Sequence, residues 1–506
     1  MGERRRRFPA LFVSAALGLS QAACGASVPE RRWLEPVPLA ASTPAGAPAL
    51  AANSRGDVVA AWMQGTGNDL GVWSRSLVAG AWTQVEPMDP GQWMQWEPPQ
   101  LALNEAGVAF GLWIVRRPYP YGWLRGARRP GAGWESPQLL NEGTSGGTPP
   151  PRLSVLGSDG ALAVWKADRW ETLGSIESVQ WSRFDPRSGW AAPVSLGPTV
   201  AATDSPLSWS DEAGHAFVLW RSQFGRWVAR YLHGGDDWGS EQPLPAAPER
   251  SYRAPTLAVA PTGALDLLWR EYAGGSTPFV YERVWANRFL PGLGFTELVA
   301  LDATSRIGCR TELVGDGAGA LAVWCCRTDN NVPDRYTTWY SQLSRDGSWT
   351  AARPVSGLPA TAYLGHVAGD GSSGALAIWS GSGELWGASL RRADWEAPVL
   401  ISRPRVGAAT VALRLLPSGE GLAVWVEGEA GASEQIRSAQ YADSAWRQPQ
   451  DVTGTWDEAT LADFSLEQLP TGEAVLVWSE RAATRLYPSG VSSTPRNVWS
   501  GRLVAR

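Results

Sequence analysis

The sequence is poor in the residues that most often bind metals and cofactors. Its 506 residues include four Cys, four Met and three His, namely His215, His233 and His366. His215 and His233 have no second His or Cys at ligand spacing, so we expect no metal site and no other cofactor. The single lysine, Lys166, follows a Trp, which excludes the Gly-Lys step of a phosphate-binding loop.

Basic residues are also too few for a typical nucleic-acid-binding protein. The chain has 44 Lys and Arg against 49 Asp and Glu, which gives a net charge of −5. Proteins that bind phosphate backbones present clustered positive charge, and the acidic balance of this chain does not favour binding to nucleic acid. We therefore expect no nucleic-acid partner.

Long apolar runs are missing except near the N-terminus. Four arginines, Arg4 to Arg7, precede the apolar run Phe8 to Leu19, and Ala22 and Ala23 follow. This order is typical of a secretory signal peptide over residues 1–23, and no later run is long enough to span a bilayer. The sequence thus predicts an exported protein.

The end of this segment, Gln21-Ala22-Ala23-Cys24, resembles the lipobox of bacterial lipoproteins. The resemblance implies that Cys24 is lipidated, that residues 24–32 form a tether, and that the lipid anchors the protein to the cell envelope, at the outer membrane. Gln21 stands where that family usually has Leu, Val or Ile. Cleavage near Ala23, giving a secreted or periplasmic protein, is the alternative.

Tryptophan is abundant, and its spacing reveals a repeat. The stretch Gly160-Ala-Leu-Ala-Val-Trp165 returns as Gly319–Trp324, as Gly374–Trp379 and, shortened, as Gly421–Trp425. Together with looser copies, nine repeats follow one another at a mean spacing of 52 residues, the looser ones ending at Trp62, Trp113, Trp220, Trp269 and Trp478. A fixed period of this length is typical of a repeat fold.

Each repeat has the pattern of four short strands. A strand led by Pro, such as Pro99–Leu103, is followed by a turn with Gly and by the strand that ends in Trp. This second strand is apolar at nearly every position, so both of its faces must be covered. The third and fourth strands each carry a Trp, and Pro marks the fourth as an edge strand. Of the 30 Trp, 25 fall into this register and are expected in the core.

The last repeat lacks a fourth strand, and the segment Trp33 to Leu39 has the pattern of one. Pairing the two would close a ring and remove an exposed sheet edge. We therefore predict an all-β fold over residues 33–506, a β-propeller of nine four-stranded blades closed by the N-terminal strand. Two smaller rings are the alternative arrangement.

One turn between the third and fourth strands, Ser344-Arg-Asp346-Gly347-Ser-Trp349, resembles the Asp-box of sialidase-like propellers, and the turn from Asp185 to Trp190 is a weaker match. The whole chain is similar to secreted or lipid-anchored bacterial proteins with such repeats. The resemblance implies a propeller in which this turn is structural. Sialidase activity would also need three arginines that bind a carboxylate, a Tyr/Glu nucleophile pair and an Asp that acts as acid and base. The stretch Tyr252–Pro255 weakly resembles one arginine motif of that family.

Function is expected on the face with the long loops, which join second to third strands and one repeat to the next. Aromatic residues outside the repeat register fall there and suit sugar or peptide binding: Trp93, Trp96, Tyr119, Tyr121, Trp170, Tyr252 and Trp456. We predict a monomeric, non-enzymatic, envelope-anchored protein that binds a glycan or a protein through this face. A sialidase-like glycoside hydrolase and a purely structural envelope protein are the alternatives.

Three of the four cysteines lie in the sixth repeat. Cys309 falls on its first strand, and Cys325 and Cys326 end its second strand. With the hairpin turn centred at residue 317, Cys309 lies opposite Cys325, which predicts a disulfide between them in an exported protein. Cys326 is the alternative partner.

Overall fold

Antiparallel β-strands dominate the described part of the chain. The computed structural model describes residues 30–40, 46–65, 70–90, 98–116, 121–145, 150–171, 174–199, 205–245, 251–252, 255–260, 262–273, 281–315, 319–328, 335–344, 346–372, 374–391, 394–403, 411–429, 433–453, 456–457, 459–482 and 496–505. Within these residues the strands form nine four-stranded blades of a β-propeller, as predicted. No described segment forms a helix with the length and apolar character that a membrane crossing requires.

At eight of the nine interfaces, the described first strand of one blade contacts that of the next. We number the blades 1 to 9 in chain order. These innermost strands are Ala49–Ala52, Gln100–Leu103, Arg152–Leu156, Leu207–Ser210, Thr256–Val259, the second half of Val299–Gly315, Tyr363–Gly369, Val411–Leu415 and Ala459–Gln468. The short strand Ser251–Tyr252 also pairs with the second strand of blade 5.

The second strands form the core of the ring. The nine tryptophans that end the repeat motif are all at most 3% exposed. Burying a side chain of this size stabilises the fold by about 1.5–3 kcal/mol. The second strands are Val58–Gln64, Ala109–Arg116, Gly160–Glu171, Ala216–Arg221, Leu265–Ala273, Ala320–Arg327, Ala375–Gly381, Gly421–Glu429 and Ala474–Ala482.

Both faces of a second strand are covered, as its continuous apolar sequence predicts. In blade 6, Ala322 and Trp324 pack in a cluster with residues of blade 5. The alternate residues, Leu321 and Val323, pack in a cluster with residues of blade 7. Since successive side chains of a strand point to opposite faces, one short strand joins two blade interfaces.

The third strands lie between the second strands and the rim. They are Gly71–Val78, Tyr121–Arg129, Gly174–Asp185, Trp227–Leu232, Tyr281–Leu290, Tyr336–Gln342, Glu384–Arg391, Ser433–Ala442 and Arg496–Ala505.

The fourth strands form the rim and are often interrupted by Pro. In blade 3, Pro193 separates two short segments, because Pro has no N–H to donate to the neighbouring strand. From blade 1 to blade 9 they are Ala81–Trp82 with Glu86–Asp89, Gln138–Ser145, Gly189–Trp190 with Val194–Pro198, Gln242–Pro243, Gly294–Phe295 with the first half of Val299–Gly315, Arg353–Pro354, Asp394–Trp395 with Val399–Ser402, Ala445–Trp446 with Gln450–Asp451 and Trp456–Asp457, and Arg31–Trp33 with Val37–Ala40.

The N-terminal strand closes the ring by completing blade 9, as predicted. Arg31 is paired with Ala505 and Trp33 with Leu503. The first strands of blades 9 and 1 also contact each other, which makes one ring and excludes the arrangement as two smaller rings. The Arg31 side chain is 2.5 Å from Glu420 of blade 8, so the closing strand is held by the preceding blade as well.

The disulfide joins Cys309 to Cys326, with Cα atoms 4.1 Å apart, and Cys325 is a buried free thiol. The predicted Cys309–Cys325 pairing is therefore wrong, and the alternative is correct. The hairpin pairs Gly315 with Ala320, so its centre lies half a residue beyond residue 317. This shift moves the partner of Cys309 by one position, and one position on a strand changes the face.

The two Asp-containing turns have similar hydrogen bonds. The Asp346 carboxylate accepts bonds from the Ser344 hydroxyl at 2.6 Å and from the Ser348 amide at 3.0 Å. The Asp185 carboxylate likewise accepts bonds from the amides of residues 187 and 188. In each turn a carboxylate thus binds groups of its own turn, which is the structural role implied by the Asp-box resemblance.

Candidate functional site

The aromatic residues predicted to bind a ligand fall at the edge of what the structure describes. Trp93, Trp96 and Tyr119 lie outside the described residues. For Tyr121, Trp170, Tyr252 and Trp456 only the backbone is described, at the ends of Tyr121–Arg129, Gly160–Glu171, Ser251–Tyr252 and Trp456–Asp457. Cys24 also lies outside the described residues.

A cavity of about 530 Å³ lies at the rim between blades 3 and 4. It is larger than the cavities of about 320 Å³ between blades 2 and 3 and about 260 Å³ between blades 7 and 8. We call it the rim cavity, and its lining includes Trp181, Arg183, Asp185 and Val194 of blade 3 with Arg230, Asp236 and Trp238 of blade 4.

Two tryptophan rings line the rim cavity. Trp181 and Trp238 meet edge to face, with centroids 5.3 Å apart. At other interfaces the fourth-strand Trp packs on a small residue of the preceding blade: Trp134 donates a hydrogen bond to Ser74, and Trp190 lies against Gly126. The large Trp181 ring thus occupies a place that is small at those two interfaces, and it adds an aromatic surface to this one.

Most charges around the rim cavity already have partners. Arg183 donates hydrogen bonds to the carbonyl oxygen of Gly235 at 3.0 Å and to Asp236 at 3.2 Å. The Asp185 carboxylate accepts the amide hydrogen bonds of its own turn, and these bonds hold its pKa below the usual value. These three side chains therefore have their orientation set by the protein.

Arg230 differs from its neighbours in the rim cavity. It makes no hydrogen bond or ion pair with any described residue, and its Nε atom is buried without an acceptor. The indole N–H groups of Trp181 and Trp238 are also buried without acceptors. The cavity therefore combines two aromatic rings with the guanidinium of Arg230, which has no acceptor among the described residues, and this combination suits a ligand rich in oxygen.

A second group of polar residues lies on the first strands of blades 6 and 7, near the axis. Arg310 is 3.0 Å from Glu312, and His366 of blade 7 is 3.4 Å from the same carboxylate. Burial raises the pKa of Glu312, but His366 and Arg310 lower it more, so that it lies below its usual value. We call Arg310, Glu312, His366 and Tyr363 the axial cluster.

Tyr363 lies in the field of two arginines at this cluster. Burial raises its pKa, while Arg310 and Arg270 oppose the shift. Its ring meets Tyr336 edge to face at 5.0 Å. No carboxylate among the described residues accepts a hydrogen bond from the Tyr363 hydroxyl, which differs from the Tyr/Glu pair that a sialidase needs. The described residues also contain no group of three His, Cys, Asp or Glu placed to hold a metal ion.

The rim cavity was not predicted from the sequence, because its tryptophans belong to the 25 that fit the repeat register. A usable signal was present in the third strand of blade 3. There Trp181 pairs with the residue that precedes the second-strand Trp. The same position is held by Ser74, Gly126 and Ser438 in three other blades, and by the aromatic Tyr340 in blade 6. A large aromatic residue at a position that is small in most blades marks an altered interface.

Comparisons with known proteins bear on this chain only through the fold. No protein-family model matches it, and no curated protein is similar to it in sequence. A protein of unknown function from Dyadobacter fermentans is 12% identical over 95% of this chain and all of that one, with a TM-score of 0.36. An ulvan lyase is 8% identical over 70% of this chain and 90% of its own, with a TM-score of 0.40. The α-L-arabinanase of Penicillium chrysogenum is 12% identical over 56% and 88%, with a TM-score of 0.30. Similarities of this size transfer neither an activity nor a ligand to this chain.

Proposed function

We propose that this protein is a non-enzymatic, carbohydrate-binding propeller of the cell envelope. The observation that carries the proposal is the rim cavity, in which Trp181 and Trp238 lie beside charged groups. Sugars are bound by aromatic rings that contact the apolar C–H surface, with polar side chains that fix the orientation of the hydroxyls. The cavity volume of about 530 Å³ lies in the range of small-ligand sites.

The proposed location outside the cytoplasm rests on two features of the chain. The N-terminal segment ends in Cys24, which would carry the lipid. The disulfide between Cys309 and Cys326 fits an oxidising compartment, because intracellular thiols are generally kept reduced. The long-loop aromatics, including Trp93 and Trp96, would provide a second binding surface on the same molecule.

The proposal is tested by screening the full-length protein on a glycan array. Saturable binding that is lost in Trp238→Ala would support the rim cavity, whereas loss in Trp93→Ala and Trp96→Ala would place the ligand on the long-loop face. Absence of binding to any glycan would overturn the carbohydrate proposal and leave protein recognition or a structural role.

The second candidate function is a sialidase-like hydrolase, and the axial cluster favours it. The charges of Arg310 and Arg270 act to lower the pKa of Tyr363, against the effect of burial. Glu312 lies on the same strand as Arg310. In such a hydrolase the arginines would bind the anionic group of the sugar. The tyrosine oxygen would attack the anomeric carbon as the carboxylate takes its proton and the bond to the leaving group breaks. Hydrolysis of a fluorogenic glycoside by the full-length protein would favour this function over simple binding.

A further inference from the structure

We infer that the rim cavity selects a sugar that carries an anionic group, a uronic-acid carboxylate or a sulfate ester, and that Arg230 binds this group. The inference rests on the proposed carbohydrate-binding function and adds the chemical class of the ligand.

The position of Arg230 is defined by the strand register. It pairs with Val218, two residues before the second-strand Trp220. The same position in the other described third strands is held by Arg in blade 1 and by neutral residues elsewhere: Arg75, Ala127, Ser182, Asn287, Ser341, Ala388, Ala439 and Gly501. The repeat therefore does not require a cation at this place.

The fold also does not use the charge of Arg230. Arg288 of the next blade shows the usual arrangement, since it forms an ion pair of 2.7 Å with the buried Asp266. Arg230, in contrast, has no hydrogen bond or ion pair with a described residue, although it lines a cavity. A half-buried guanidinium that lacks a carboxylate retains the capacity to bind one from a ligand, through two parallel hydrogen bonds.

The other charges of the cavity do not replace Arg230 in this role. Arg183 is bound to Asp236 and to the carbonyl oxygen of Gly235, and the Asp185 carboxylate is occupied by its own turn. Among the described residues of the cavity, Arg230 is therefore the cation left for an incoming carboxylate or sulfate, and Trp238 lines the same cavity. A neutral sugar would leave the Arg230 charge without a counter-ion, so the site discriminates against it.

The test measures affinities of the full-length protein for matched pairs of oligosaccharides. One pair consists of a uronic-acid oligosaccharide and its carboxyl-reduced form, and the other of a sulfated oligosaccharide and its desulfated form. We expect wild-type protein to prefer an anionic member, and Arg230→Gln to weaken that binding by about ten- to a hundred-fold, the range for a lost charge-assisted hydrogen bond. The preferred pair identifies carboxylate or sulfate as the anionic group.

Two further variants separate a role in recognition from a role in folding. Arg75→Gln removes the equivalent cation in blade 1 and should leave the affinity unchanged. Arg230→Lys retains the charge but loses the paired hydrogen bonds, so its affinity should fall between those of the wild type and Arg230→Gln.

The outcomes distinguish this inference from the function on which it rests. If neutral and anionic sugars bind equally well, with binding that depends on Trp238 and not on Arg230, the anionic specificity is overturned and the carbohydrate-binding function remains. If no sugar binds, both proposals fail. If sugars bind but binding is unaffected in both Trp238→Ala and Arg230→Gln, the rim cavity is not the binding site, so the anionic specificity is overturned and carbohydrate binding belongs to another face.

Discussion

Trp238 of blade 4 lies against Trp181 of blade 3 with the two ring planes inclined at 78°. A similar contact joins Trp395 of blade 7 to Tyr340 of blade 6, at a centroid distance of 6.2 Å. There, however, Arg353 lies over the Tyr340 ring and is paired with Asp394. The two interfaces have related aromatic contacts, but only the first is combined with an arginine that lacks a described partner.

This comparison provides a matched pair of substitutions for the binding proposal. We expect Trp238→Ala to weaken glycan binding at least tenfold, because it removes the ring that contacts the sugar. Both Trp238→Ala and Trp395→Ala should lower the free energy of unfolding by about 2–4 kcal/mol. Trp395→Ala, however, should leave glycan binding unchanged. Affinity measurements and chemical denaturation of both variants check this, and equal loss of binding in the two would contradict a role of the rim cavity.

The disulfide pairing is checked by peptide mapping. Trypsin releases Cys309 in a peptide that ends at Arg310, and Cys325 with Cys326 in the peptide that ends at Arg327. We expect the two peptides to stay linked in Cys325→Ser and to separate in Cys326→Ser. Loss of the disulfide should lower the free energy of unfolding by about 3 kcal/mol, since it closes a loop of 17 residues. A link that survives in Cys326→Ser and disappears in Cys325→Ser would contradict the structure.

The closing strand depends on a buried ion pair. The side chains of Arg31 and Glu420 are 6% and 17% exposed, so Arg31→Met leaves a nearly buried carboxylate without its partner. We expect this variant to lose about 3–5 kcal/mol of stability, and Glu420→Gln in the same chain to restore part of the loss. Arg32→Met changes the exposed neighbour on the same strand and should alter the stability by no more than about 0.5 kcal/mol. Equal stability of the Arg31 and Arg32 variants in denaturation experiments would show that the pair does not hold the strand.

The Asp346 turn should make a pH-dependent contribution to stability. Hydrogen bonds from the Ser344 and Ser348 hydroxyls lower the pKa of Asp346 from 3.8 to about 2. Because the folded pKa lies below the unfolded one, the contribution is complete above about pH 4 and is lost as the pH falls towards 2. The difference in melting temperature between wild type and Asp346→Asn should therefore shrink over this interval. A difference that stays constant from pH 5 to pH 2 would contradict this prediction.

Substitutions in the axial cluster distinguish the binding proposal from the hydrolase alternative. On the binding proposal, Tyr363→Phe and Glu312→Gln leave glycan affinity at the rim cavity unchanged, because both residues lie on the first strands of blades 6 and 7. The wild-type protein should also release no product from fluorogenic sialosides or other aryl glycosides. Turnover that is abolished by Tyr363→Phe would instead establish the hydrolase as the function of this chain.

The ring could be predicted from the sequence because each repeat carries the same pattern of four strands with an apolar second strand that ends in Trp. The stretch from Gly160 to Trp165, apolar at successive positions, must lie between two other layers, and its Trp fixes the register. The missing fourth strand of the last repeat likewise predicts that the segment Trp33 to Leu39 completes it, and in the structure Arg31–Trp33 and Val37–Ala40 pair with Arg496–Ala505. These features depend on local patterns that recur, so a wrong strand assignment in one repeat can be recognised by comparison with the others.

Features that occur once are harder to predict from the sequence. The partner of Cys309 depends on a half-residue shift of the turn centre in one hairpin. The other repeats give no information about this shift. The rim cavity depends on the contact of Trp181 with Trp238, more than 50 positions apart in the chain, and both residues individually satisfy the core pattern. The candidate site is therefore a departure from the repeat that becomes visible only when neighbouring blades are placed side by side.

Completion of blade 9 by the N-terminal strand also has a consequence for the order of folding. The ladder from Arg31 to Ala505 joins segments at the two ends of the described chain, so its formation carries the largest loop-closure entropy of any pairing in the ring. During synthesis the first of these segments emerges early and has no partner until the last has followed. We expect the intermediate blades to form first and the ring to close last. A chain that is truncated before residue 496 leaves blade 9 with an unpaired edge, so that quality control can distinguish it from a full-length chain by its exposed strand.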